Sequence, residues 1–226
     1  MRVKQEFSRS ASEYEQYSII QQQVAQKLVD DIMEFPTKIL DIGCGSGAVN
    51  KLVSWDLERY TAIDFSQSML DIHPKAKNIT CKLADFNSSS FFDTIDGDHN
   101  RVISASALQW AIDLDYVLKE IAKLKTPVSL AIFTCKTFKS MYECAELEPM
   151  LRCSDEIIAT AKKHFDAEYE LVEYTLKFDT PRDMFRYIKK SGVSGGRRVL
   201  SYKQTKQLMQ AYPLDYLEFE VLFIQN

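Results

Sequence analysis

The chain has 226 residues, 46% of them hydrophobic and 27% charged, with a formal net charge of −4. That length suits one α/β domain and that balance an ordinary globular protein. No apolar run approaches the roughly 18 residues of a membrane span, and Met1–Glu6 lacks the apolar core of a signal peptide. Five cysteines (Cys44, Cys81, Cys135, Cys144, Cys153) form no C-x-x-C pair and leave one over. This reads as reduced thiols in a cytoplasmic protein. His73, His99 and His164 are scattered without metal-ligand spacing; no metal site is expected, and all three are expected at the solvated surface.

In chain order, residues 1–35 read as a helical N-terminal arm. An apolar strand, Lys38–Ile42, then runs straight into Gly43, Gly45 and Gly47, and a helical segment over residues 48–55 follows at once. Glycines at this spacing let the backbone turn tightly and approach a ligand that a Cβ would block. The N–H groups opening the next helix then face that ligand. Gly43, Gly45 and Ala48 satisfy the dinucleotide pattern G-x-G-x-x-G/A, and Asp64 stands about 20 residues on, as a ribose-binding acid should. A nucleotide-type cofactor site is expected here.

Further β-rich runs fall at residues 60–65, 79–83, 101–105 and 128–134, with helical segments between most of them. Such alternation implies right-handed βαβ units and a mostly parallel, doubly wound sheet, with 38–134 as the cofactor-binding core. Two later runs, 169–178 and 217–224, flank a helical insertion over 179–212 and can pair as an antiparallel hairpin at the sheet edge. Residues 191–196 (Ser-Gly-Val-Ser-Gly-Gly) read as a flexible loop. Ligands in open α/β sheets bind at the carboxyl ends of the strands. The candidates there are Asp64 and Phe65 after the second strand, Met69 on the following helix, Asp85 and Phe86 after the third, and Ser104 on the fourth. Asp85 reads also, though second, as a helix N-cap. Gln109 and Trp110 stand next in line after the fourth strand, Trp110 being also a candidate for the core.

The form Asp41-x-Gly43-x-Gly45-x-Gly47 resembles motif I of the class I S-adenosylmethionine-dependent methyltransferases. Through that resemblance the fold is a Rossmann-like, seven-stranded sheet forming a single domain over 1–226. The implied cofactor is S-adenosyl-L-methionine, leaving as S-adenosyl-L-homocysteine. Asp41, Gly43, Gly45 and Gly47 pass its amino-acid end and Asp64 holds the ribose hydroxyls. Asp85 and Phe86 face the adenine, Phe65 and Met69 pack near it, and Ser104 lies near the methyl group.

A narrower resemblance rests on Ala107-Leu108-Gln109-Trp110, on Asp113 and Leu118-Lys119-Glu120, on the arm Phe7 to Tyr14 with Gln22 and Ala25, and on Phe185 to Val193. These are similar to the BioC-type malonyl-[acyl-carrier-protein] O-methyltransferases of biotin synthesis. The resemblance implies methyl esterification of a carrier-bound malonyl carboxylate, which is already ionised at neutral pH and needs no general base. It puts Gln109 and Trp110 on the substrate side and makes Tyr14, in the arm, the candidate for orienting the substrate. The turn Lys125-Thr126-Pro127-Val128 departs from the superfamily in having no glycine, and the C-terminal part is short. A basic stretch, with Arg186, Lys189, Lys190, Arg197 and Arg198, lies on an otherwise acidic chain and suits an acidic acyl carrier protein rather than nucleic acid. Methylation of another small carboxylate or hydroxyl, a noncatalytic cofactor-binding role, and a nicotinamide enzyme remain alternatives.

Overall fold

The computed structural model describes residues 16–191 and 202–226, for 202–206 the backbone alone. A seven-stranded sheet has the order β3-β2-β1-β4-β5-β7-β6. Its strands are β1 (Lys38–Ile42), β2 (Arg59–Asp64), β3 (Ile79–Leu83), β4 (Arg101–Ala105), β5 (Val128–Phe133), β6 (Glu168–Lys177) and β7 (Tyr216–Gln225). The first five are parallel. β7 runs antiparallel to both β5 and β6, with Leu130 opposite Ile224 and Val172 opposite Val221. The expected edge hairpin is therefore present, and β7 inserts between β5 and β6. A doubly wound dinucleotide fold instead has the order 3-2-1-4-5-6, so the topology sets this chain apart from the nicotinamide alternative.

The inner strands are apolar because helices cover both faces, and every residue of β5, Val-Ser-Leu-Ala-Ile-Phe, is buried; the edge strands β3 and β6 are largely exposed or half-buried. One face carries α1 (Ile19–Asp30), α2 (Ala48–Leu52), α3 (Gln67–Ile72) and the insertion. In α1, Ile20, Val24 and Leu28 recur every four residues and are fully buried. The opposite face carries α4 (Leu114–Lys123) and α6 (Ser154–Ala161). Asp113 caps α4 by accepting the Tyr116 N–H at 2.9 Å, and Leu114, Val117, Leu118 and Ile121 form its buried stripe. Short α5 (Lys139–Cys144) follows β5. The insertion supplies α7 (Pro181–Lys190) and α8 (Tyr202–Ala211). α7 starts at a Thr180 cap that accepts the Asp183 N–H at 3.1 Å, with proline in its first turn.

Several expectations are corrected. The helix after the glycines ends at Leu52 rather than Trp55. The chain turns there, and the Trp55 indole donates to the Pro36 carbonyl at 2.8 Å while its ring packs against Phe35. The cysteines are not all reduced: Cys135 and Cys153 form a disulfide, their Cα atoms 4.6 Å apart. The Cys135 N–H donates to the Arg152 carbonyl at 2.8 Å, which closes the ends of the intervening segment on each other. His73 is not at the surface but 2% exposed, its ring under the glycine turn, and His99 and His164 are half-buried. Among the described residues, no helix is long and apolar enough to cross a membrane.

Candidate functional site

The carboxyl ends of β1, β2, β3 and β4 open into a cavity of about 450 Å³, within the usual range for small-molecule sites. The glycine turn supplies Gly43, Cys44 and Gly45. Ile63, Asp64 and Phe65 enter from β2, Met69 from α3, and Ala84 and Phe86 from beyond β3. Ala105, Ser106, Ala107 and Trp110 come from the end of β4. Ser18, Gln21, Gln22, Ala25 and Gln26 come from α1 and its cap, and Lys51 and Leu52 from α2.

All three glycines of the turn have left-handed backbone, φ 75°, 53° and 86°, a region other residues adopt at a cost. Their surroundings differ. A Cβ on Gly43 would lie 2.3 Å from the Ala107 Cβ, and one on Gly47 would lie 2.5 Å from the Pro74 ring. Those two positions are glycine because protein packs against them. A Cβ on Gly45 meets nothing within 4 Å; it would enter the cavity. Gly45 is thus the glycine left bare toward the cavity.

Asp64 secures the turn. Its Oδ2 accepts the Gly45 N–H at 3.0 Å and its Oδ1 the Ser66 N–H at 2.8 Å. Burial pushes its carboxyl up, these N–H donors pull it down, and nearby Asp85 pushes it up again. Asp41 lies beneath, 1% exposed. Its Oδ2 accepts the Tyr60 hydroxyl at 2.6 Å, and its Oδ1 has no partner among the described residues. Burial pushes Asp41 up to about 7; the Tyr60 hydrogen bond opposes this and the Asp64 charge adds to it. Burial also pushes up the Cys44 thiol.

The cavity therefore gathers Gly43, Gly45, Asp64, Phe65, Met69, Phe86 and Trp110 on one wall system. Five other candidates lie off it. Asp41 faces Tyr60 inside the sheet. Gly47 packs on His73 and Pro74. The Ser104 hydroxyl donates to the Ile42 carbonyl at 2.7 Å, tying β4 to β1. Asp85 accepts the Asn87 N–H at 3.0 Å, holding the turn after β3. The Gln109 amide donates to the Ser106 carbonyl at 2.6 Å. In the insertion, Arg186 pairs with Asp183 at 2.7 Å, Lys189 is exposed, and the Lys190 ammonium sits 5.0 Å over the Tyr17 ring. Tyr14, Arg197 and Arg198 lie outside the described residues. The roof from α1 was largely missed. Its signal was the polar positions Ser18, Gln21 and Gln22 at helical spacing beside the apolar stripe. The Gln21 amide reaches the Ser191 carbonyl at 2.8 Å and joins α1 to the end of α7.

Residues 39–127 match the family model described as a methyltransferase domain. The malonyl-[acyl-carrier protein] O-methyltransferase of Chlorobium luteolum is 28% identical over 85% of this chain and 78% of its own. A putative methyltransferase from an antibiotic biosynthesis pathway of Anabaena variabilis superposes with a TM-score of 0.62 at 13% identity, covering 92% of this chain and 97% of that one. Haemonchus contortus phosphoethanolamine N-methyltransferase 2, solved with S-adenosyl-L-methionine, gives 0.60 at 16% identity, over 100% of this chain and 60% of that one. The structural likenesses establish the fold.

Two variants separate the roles of the glycines. Gly45→Ala is expected to fold, lose about 1–2 kcal/mol of stability to its left-handed backbone, and lose affinity for S-adenosylhomocysteine out of proportion to that loss. Gly43→Ala is expected to fail in folding first. Calorimetric affinities and thermal melts check both; unchanged affinity in Gly45→Ala contradicts the assignment.

The buried Asp41 gives a pH dependence. Its folded pKa of about 7 stands above the ordinary value near 3.9, so the folded protein binds the proton more tightly. The stabilisation is complete below about pH 4 and is lost as pH rises through about 7. Asn at this position keeps an acceptor for Tyr60 without the charge. The melting temperature of Asp41→Asn relative to the parent is expected to rise by about 5–10 °C between pH 5 and pH 8, since the parent loses about 2–3 kcal/mol across that window and each kcal/mol corresponds to about 2–4 °C at this size. A pH-independent difference contradicts this.

Proposed function

We propose, for a chain that is a class I S-adenosylmethionine-dependent methyltransferase, that its acceptor is the free carboxylate of a malonyl group carried by an acyl carrier protein, esterified at the start of pimeloyl and biotin synthesis. The cavity fits the cofactor. Gly45 leaves room where a side chain would intrude, Asp64 presents a carboxylate whose remaining lone pairs suit ribose hydroxyls, and Phe65, Met69 and Phe86 offer apolar surface to a flat base. S-adenosylmethionine supplies an electrophilic methyl group on a sulfonium.

The observation that carries the choice of acceptor is the ionisable content of the described lining. It consists of the Cys44 thiol, the Asp64 carboxylate and the Lys51 ammonium, with no imidazole and no phenol. Burial keeps Cys44 protonated, and Asp64 is committed to two backbone N–H groups. A hydroxyl acceptor needs a base to remove its proton; a malonyl carboxylate arrives ionised. The chain's part is then to orient the two substrates and exclude water. The roof from α1, tied through Gln21 to Ser191, provides the cover.

A carrier partner is supported by relatives named for malonyl-[acyl-carrier protein] and by the position of the basic helix. The last turn of α7 brings Lys190 over Tyr17 and Ser191 against Gln21, so its cations stand beside the cavity roof rather than within the site. They suit the surface of an acidic carrier.

Methyl transfer to malonyl carrier protein, malonyl-CoA and free malonate, read by mass spectrometry of the ester, tests the proposal. Thioester-bound malonyl is expected to be preferred. Lys189→Glu combined with Arg186→Glu is expected to raise the carrier KM and leave malonyl-CoA turnover unchanged. Each exposed contact contributes about 1 kcal/mol or less, and the effect shrinks with salt over a screening length of about 8 Å. No ester from any of the three substrates contradicts the acceptor assignment. Equal losses on carrier and CoA contradict the carrier surface.

A further inference from the structure

The loop that follows β4 carries Trp110 on the cavity wall, and it is held from behind by one guanidinium. Arg152 Nη2 donates to the Ala111 carbonyl at 2.7 Å and to the Ile112 carbonyl at 3.0 Å. Its Nε faces Glu156 at 3.5 Å. Across the loop, the Asn87 side chain accepts the Ile112 N–H at 2.8 Å and donates to the Trp110 carbonyl at 3.4 Å. The two residues after Trp110 are therefore fixed from both sides, although the Ile112 side chain is 82% exposed. Ala111 is buried in the core, whereas Ile112 is held by polar contacts to its backbone rather than by burial of its side chain.

Arg152 is itself anchored. Its carbonyl accepts the Cys135 N–H at 2.8 Å, and the next residue, Cys153, is joined to Cys135. Cys135 lies just beyond β5, with Thr134 between them. A continuous line of contacts thus runs from the end of β5 through Arg152 to the peptide groups behind Trp110. The cofactor end of the cavity, at Gly45 and Asp64, takes no part in it.

We propose that Arg152 is a positioning residue for the acceptor, fixing the Trp110 wall and so setting the KM for the methyl-accepting substrate without touching substrate or cofactor. The assignment rests on the reading of Trp110 as the acceptor side. Hydrogen bonds from a charged donor are stronger than neutral ones, and a planar guanidinium is pre-organised to give two at once. Methionine keeps the length and apolar stem of the side chain and gives neither bond.

The chain has two tryptophans, Trp55 and Trp110, and Trp55 lies away from the cavity against Phe35 and Pro36. A Trp55→Phe background leaves Trp110 as the only indole reporter. In that background Arg152→Met is expected to shift Trp110 emission to the red and increase its quenching by acrylamide. The acceptor KM is expected to rise about 10-fold, the scale of one such charged hydrogen bond, with S-adenosylhomocysteine affinity unchanged. Arg152→Lys, which retains a donor, is expected to fall between parent and methionine variant in both readouts. Unchanged quenching and unchanged KM in Arg152→Met overturn the proposal. So does a parallel loss of acceptor and S-adenosylhomocysteine affinity with a lowered melting temperature, which marks a purely structural role. If Arg152→Met fails to fold, the lysine variant alone decides, since it must show altered quenching with cofactor affinity intact. A parent enzyme inactive on every carboxylate acceptor overturns the acceptor reading instead, and the Trp110 fluorescence still judges the wall.

Discussion

The Asp64 carboxylate is the interaction on which the site depends. It ends β2, accepts the N–H of Gly45 from one side and that of Ser66 from the other, and so fixes the glycine turn to the start of α3. Hydrogen bonds to a charged group contribute about 1.5–3 kcal/mol each, and a turn with three left-handed residues needs such an anchor. Asp41 lies close enough that the two carboxyls interact. Their environments separate them. Asp64 has two backbone donors that favour its charge; Asp41 has one phenol and an orphaned oxygen, and is pushed toward neutrality. Burial raises both carboxyls above the ordinary range, and at Asp64 the backbone N–H donors oppose that rise.

The rest of the fold builds the cavity around that anchor. The parallel half of the sheet brings the ends of β1 to β4 to one edge, while antiparallel β7 closes the sheet beside β5 and leaves β6 at its margin. The connection between β6 and β7 is then long enough to carry α7 back toward α1, where Gln21 meets the Ser191 carbonyl. Roof and insertion are one assembly, joined 170 residues apart in the chain. The basic side of α7 comes to the cavity roof for the same reason.

Much of this was legible in the sequence. The strand runs emerged within a residue or so because buried parallel strands read as continuous apolar segments. The hairpin of β6 and β7 was legible as two β-rich runs around a helical insertion. The glycine spacing marked the turn that lines the cavity, yet only the structure divides its labour between Gly45, bare toward the cavity, and Gly43 and Gly47, packed on protein. Asp41 and Ser104 sit near strand ends, where motif spacing suggests a ligand. The alternation of side chains along a strand instead turns Asp41 onto Tyr60, and Ser104 spends its hydroxyl on the Ile42 carbonyl. The Cys135–Cys153 bridge and the reach of Arg152 to Ala111 and Ile112 left no trace, because both join segments whose approach is decided by tertiary folding.

The most direct test of the account is calorimetric titration of S-adenosylhomocysteine and of NAD into the parent chain and Asp64→Ala, with a melt confirming that the variant is folded. The parent is expected to bind S-adenosylhomocysteine and not NAD, and Asp64→Ala to bind the former more weakly by about 1.5–3 kcal/mol. Binding of NAD by the parent, or equal S-adenosylhomocysteine affinity in parent and folded variant, would contradict it.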